Sequence, residues 1–184
     1  SEGIGQTRDP IFDEAELAAL ECQYEKDCVL HAQNLIAAGK TDEGYDQLKV
    51  SCFYDDDVSS CGVLGRYIVE DGLGPAPGRE RDELLADLFA RGCQRSSADC
   101  VRYAVLYKKG LRARGDFPTM QRVVESCAKA RFGCAIATAA HALGLGVPRD
   151  LARAKRAWAA HCEEDAKTYI AERQTCTMPK EYAP

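Results

Sequence analysis

The chain has 184 residues, 46% of them hydrophobic and 29% charged, enough for one domain or one compact repeat array with a sizeable core. No run approaches the roughly 18 apolar residues that a membrane-spanning helix needs, so no membrane span is expected. The net charge of -5 is unevenly spread: residues 1–92 hold 8 basic and 20 acidic side chains, residues 93–184 hold 16 and 9, and the basic half is too modest, and too poor in interleaved aromatics, for a nucleic-acid partner.

Taken in chain order, the sequence repeats itself. Cys28 opens CVLHAQNLIAAG, Cys61 opens CGVLGRYIVEDG, Cys100 opens CVRYAVLYKKG and Cys134 opens CAIATAAHALG. Each run has the apolar spacing of a helix and reaches a glycine, at Gly39, Gly72, Gly110 and Gly144. Glycine just past the last periodic residue stops a helix because it tolerates the left-handed conformation. A polar turn follows each glycine, then a second helical run: YDQLKVSC, RDELLADLFARGC, MQRVVESCAKA and LARAKRAWAAHC. Asp150 is placed to cap the last of these, and Ser96-Ser97-Ala98-Asp99 has the form of a capping box before the run at Cys100. The openers lie 33, 39 and 34 residues apart, in the range of helix-turn-helix solenoids, and the glycine- and proline-rich GLGPAPGRE accounts for the longest spacing. No segment shows sustained strand alternation.

These observations predict one all-α repeat domain. Residues 1–27 form a half repeat or cap helix, 28–60, 61–99, 100–133 and 134–162 the repeats, and 163–184 a capping helix and tail. At the N-terminus, SEGIGQTRDPIFDEAELAALEC parallels ALGLGVPRDLARAKRAWAAHC, so the chain starts inside a repeat. The unfinished repeat leaves an apolar helix face that a second copy could cover, which makes a homodimer an expectation. No signal peptide is visible; the expectation is that one was removed or trimmed.

Ten cysteines are the compositional anomaly. In order they fall into neighbours: Cys22 and Cys28, Cys52 and Cys61, Cys93 and Cys100, Cys127 and Cys134, and the looser Cys162 and Cys176. Ten cysteines allow many connectivities and sequence alone does not choose, but the clustering favours local bridges. Each would join the end of one repeat's second helix to the start of the next repeat's first helix, stapling units that touch only their neighbours. Such bridges persist in an oxidising compartment, so a periplasmic or secreted location is expected.

The chain resembles the Sel-one-like repeat family, relatives of the tetratricopeptide repeats, in the cysteine-paired branch typified by the Helicobacter cysteine-rich proteins. The resemblance is carried by Cys61, Leu64-Gly65, Tyr67 and Asp71-Gly72-Leu73-Gly74, and by Gly144-Leu145-Gly146-Val147 with Asp150, Ala154 and Trp158. His31-Ala32 and Tyr103-Ala104 stand where the pattern has Leu-Gly. The resemblance implies a right-handed α/α superhelix, cross-linked by disulfides, whose concave face binds a protein or peptide partner without catalysis. By the same analogy Gln33, Arg66, Val69, Glu70, Lys108 and Lys109 line that face.

His31, His141 and His161 lie in no His-Glu-x-x-His motif and beside no nucleophile elbow. Relatives of this type have been linked to β-lactam hydrolysis, but no catalytic set stands out here, so no enzyme is expected and a hydrolase is the weaker alternative. Zinc ligands come in pairs two to four residues apart, whereas these cysteine pairs enclose five to thirteen residues and no Cys-x-x-Cys occurs. A haem-, metal- or thiol-redox-binding protein is the main alternative, and His161-Cys162 its only prompt, since adjacent helix residues do not face one site. No cofactor is therefore expected. Asp55-Asp56-Asp57 lacks the alternation of a calcium loop and reads as a solvated turn. The cluster Arg149, Arg153, Lys155 and Arg156 reads as a wet helix face; if it docked anything, that would be an acidic protein or an anionic surface.

Overall fold

The computed structural model describes residues 27–55, 57–113, 135–145, 147–168 and 177–183. Among these, the regular structure is helical throughout: α1 (Cys28–Ala37), α2 (Thr41–Phe53), α3 (Val58–Asp71), α4 (Arg79–Gly92), α5 (Ser97–Lys108), α6 (Ala135–Leu143), α7 (Leu151–Thr168) and a 3-10 turn at Lys180–Tyr182. The helices pack in chain order, each against the next, and α1 also touches α3. The result is a repeat-like succession of helix pairs, with α1, α3, α5 and α6 corresponding to the four cysteine-opened runs. The expected cysteines Cys22, Cys127, Cys134 and Cys176, the N-terminal half repeat and the second helical run at Met120 lie outside the described residues.

Local chemistry sets the helix ends. Asp27 caps α1 by accepting a hydrogen bond from the Leu30 amide at 2.9 Å, and Asp57 caps α3 through the Ser59 amide at 3.0 Å. Each satisfies an amide that has no partner inside the helix. Gly39, Gly72, Gly110 and Gly144 have φ of 83, 68, 87 and 73°. At the first of these the Lys40 amide returns to the Leu35 carbonyl at 2.9 Å, so the chain reverses within one residue and enters α2.

Two starts differ from the sequence expectation. α3 and α5 begin three residues before Cys61 and Cys100, because the capping positions are Asp57 and Ser96. The cysteines therefore sit one turn inside their helices, where both are fully buried. Nor does the capping box form: the Ser96 side chain makes no capping hydrogen bond, and Asp99 is buried and paired with Arg102 instead. At the other end, Asp150 does cap α7, accepting from the Arg153 amide at 3.0 Å. That helix runs unbroken through Cys162 to Thr168, so the expected boundary at 162/163 falls inside a helix.

The disulfides Cys52–Cys61 and Cys93–Cys100 join α2 to α3 and α4 to α5, with Cα atoms 4.8 and 4.3 Å apart. Cys28 and Cys162 are also disulfide-bonded, and among the described residues no cysteine is free. The core runs along the stack through Leu48, Leu64, Ile68, Leu88, Phe89, Tyr103 and Ile136. Close approach depends on small residues four positions after each opener: Ala32, Ala104 and Thr138 are completely buried, and Gly65 lies so near Phe89 that a Cβ there would fall 2.7 Å from its ring. No described helix is long and apolar enough to cross a membrane.

Candidate protein-binding surface

The first helices of successive pairs share a register. Counting from the openers, the second, fifth, eighth and ninth positions lie along one side of a helix. On α1 these include Leu30 and Gln33, on α3 Val63, Arg66, Val69 and Glu70, and on α5 Arg102, Val105, Lys108 and Lys109. The large apolar side chains left exposed among the described residues, Leu30, Val69 and Val105, all stand in this register and are 51, 50 and 37% exposed. Gln33 is half-buried; Arg66, Glu70, Lys108 and Lys109 are exposed. The residues expected from the resemblance therefore fall on one set of helix faces, interleaved with apolar side chains.

Beneath that surface lies a cluster that the sequence reading missed. Asp99 points into the contact between α3 and α4, where two glycines make room: a Cβ at Gly62 would fall 2.1 Å from its Oδ2, and one at Gly92 2.6 Å from it. Burial pushes the Asp99 carboxyl up; the Arg102 guanidinium, and more weakly Arg66, pull it part of the way back. Arg102 donates to Asp99 Oδ1 at 2.9 Å and lies over the Phe89 ring, 5.6 Å from its centroid. Arg66 Nε donates to the Gly62 carbonyl at 3.4 Å. Two guanidiniums thus face one buried carboxylate, which leaves the outer surface cationic there. The legible signal was an acid followed three residues later by Arg, beside glycines in two neighbouring helices.

This geometry fixes the sign of a pH effect. A carboxyl held above its ordinary value in the folded chain binds its proton more tightly than in the unfolded chain. Its contribution to stability is complete below the ordinary value of 3.8 and is lost as pH rises through the folded value. The Asp150 carboxyl is lowered, chiefly by the Arg153 amide, and acts in the opposite sense. The stability difference between Asp99→Asn and the unmodified chain isolates the first effect. In urea titrations it should move steadily in the variant's favour as pH rises from about pH 4 to about pH 7; a difference independent of pH would contradict it.

Farther along α5 the surface is occupied. Lys108 Nζ donates to the Ala183 carbonyl, and the turn Lys180–Tyr182 packs on both α5 and α6. Nearby, Tyr103 meets Tyr107 edge-on at 6.0 Å, and Arg112 stacks on the Tyr107 ring at 3.4 Å. Of the basic cluster at the start of α7, Arg149 donates to the Ala142 carbonyl at 3.0 Å and Arg153 pairs with Asp150 at 3.6 Å, while Lys155 and Arg156 are exposed.

The histidines lie on three different helices. His31 is half-buried on α1. His141 is buried on α6, its imidazole pushed down by burial and then by Arg153, against the opposing pull of Asp150. His161 tilts against the Trp158 ring at 5.5 Å. Among the described residues no three His, Cys, Asp or Glu side chains are grouped to hold a metal ion. No family model, curated protein or solved structure matches the chain.

Proposed function

We propose that this chain is a non-catalytic interaction scaffold, a disulfide-stapled right-handed α/α superhelix of the Sel-one-like kind, that binds a protein or peptide partner along the faces of its first helices. The observation that carries the reading is the placement of Leu30, Val69 and Val105. Exposed apolar side chains scattered singly need no explanation. Here they recur in one register of three successive helices, among Arg66, Glu70 and Lys109, the mixture of apolar anchors and charges that partner recognition uses. The disulfides support an oxidising, periplasmic or secreted setting. Because every described cysteine is bridged, they also favour a structural over a thiol-redox role.

Arg66 faces the Asp99 carboxylate and Lys108 holds the C-terminal segment, so reversing either charge would disturb the fold as well as the surface. Val69→Asp with Lys109→Glu avoids both. Exposed substitutions of this kind change stability by no more than about 0.5 kcal/mol. Used as immobilised bait on extract of the source cells, the double variant should retain the authentic partner at least about tenfold less than the unmodified chain, with unchanged helical circular dichroism. Equal recovery of every bound protein by the two baits would overturn the reading.

A further inference from the structure

The C-terminal segment behaves as a ligand of the chain's own surface. Tyr182 is completely buried and is the largest such side chain described. Met178 packs on the same core, Lys180 and Ala183 stay exposed, and Lys108 grips the Ala183 carbonyl from α5, 75 residues away in sequence. This is the pattern of a bound peptide: one aromatic anchor, a second apolar contact, backbone held by a side chain, and other side chains left outside.

Its seat takes in part of the candidate binding register, because Lys108 stands at the eighth position of α5. On α1, α3 and α5 the fifth position after the opener holds Gln33, Arg66 and Val105, none of them buried. On α6, against which the segment packs, every residue from Ile136 to Ala142 is buried, the register positions Ile136, Ala139 and Ala142 among them. The Tyr182 hydroxyl is buried without a hydrogen-bond partner, a burial that costs free energy and that phenylalanine would avoid.

We propose that residues 177–183 are an exchangeable internal ligand. They occupy the face formed by α5 and α6 and exclude a partner's extended segment of the same chemistry: an aromatic anchor preceded by a Met-Pro pair, its backbone carbonyl accepting a hydrogen bond from Lys108. The proposal rests on the reading that first-helix faces bind the partner. It is tested separately, because the probe is the chain's own tail peptide and the Val69 and Lys109 positions are left intact.

The experiment uses the full-length chain with Tyr182→Ala, which undocks the tail, and a fluorescein-labelled peptide of residues 177–183 followed by anisotropy. The variant should bind the peptide at least about tenfold more tightly than the unmodified chain, whose site is already filled. A peptide carrying alanine in place of its tyrosine should not bind. Tyr182→Phe, which removes the unpaired hydroxyl, should admit the peptide less readily than the unmodified chain. Three results would overturn the proposal: a helical Tyr182→Ala chain that binds no peptide, equal binding by variant and unmodified chain, or loss of helical circular dichroism in Tyr182→Ala, which would make the tail part of the core.

Discussion

Replacing Cys52, Cys61, Cys93 and Cys100 with alanine lowers the stability of the chain by about 5 kcal/mol, roughly half from each bridge. The links span 9 and 7 residues, and closing loops this short removes about 2.5 kcal/mol of freedom from the unfolded chain. They lie at different joints, so their effects should be close to additive. Alanine is the right replacement because Cys52, Cys61 and Cys100 are fully buried and Cys93 nearly so, where a serine hydroxyl would add an unpaired polar group. Against a total stability of about 5–15 kcal/mol, such a loss removes between about a third and the whole of it. Urea titration of the two chains by circular dichroism measures it. A loss below about 1 kcal/mol would mean that the packing of α2 on α3 and of α4 on α5 confines the joints without the bridges.

What could be read from the sequence was what depends on neighbours in the chain. Gly39, Gly72, Gly110 and Gly144 end their runs because a positive φ is a property of a single residue, and a Cys two turns from another Cys across a helix break has few alternatives. The helix starts were less legible, since Asp57 and Ser96, which precede α3 and α5, lie upstream of the cysteine pattern. Ser-x-x-Asp has the capping spacing, so Asp99 reads as part of a cap. The pull that overrode it came from outside the segment: a space between Gly62 and Gly92 and a guanidinium one turn on. The seat of Tyr182 was invisible for the same reason, because its partners on α5 and α6 are far away in sequence and nothing in Lys-Glu-Tyr-Ala announces a buried residue. At the candidate surface, Arg66, Val69 and Glu70 were legible as one helix side. That Val105 and Leu30 join them, and that Lys108 is already engaged, needed the packing.

The crossing of α3 and α4 yields the other large effect, with a sign opposite to the one helix propensity gives. Gly62 lies inside α3, where replacing glycine by alanine in an open helix stabilises by about 1 kcal/mol. Here the new methyl would occupy the place of the Asp99 carboxylate, 2.1 Å from Oδ2 and 3.1 Å from Cγ. The carboxylate has no room to withdraw: its side chain is 5% exposed and is held by Arg102 at 2.9 Å. Overpacking of this kind costs about 1–3 kcal/mol, and breaking the buried ion pair adds to it, so Gly62→Ala should destabilise by about 2–3 kcal/mol net of propensity. Asp99→Ala removes the obstacle. Combined with Gly62→Ala it should recover at least about 1 kcal/mol relative to the sum of the single changes, a coupling that a double-mutant cycle reads directly. Gly92→Ala meets the same carboxylate at 2.6 Å but also the Gly62 Cα at 3.1 Å. Backbone yields less readily than a side chain, so Asp99→Ala should rescue Gly92→Ala less completely. If Gly62→Ala instead stabilises the chain, or if Asp99→Ala leaves its cost unchanged, the carboxylate does not fill the space between the two helices.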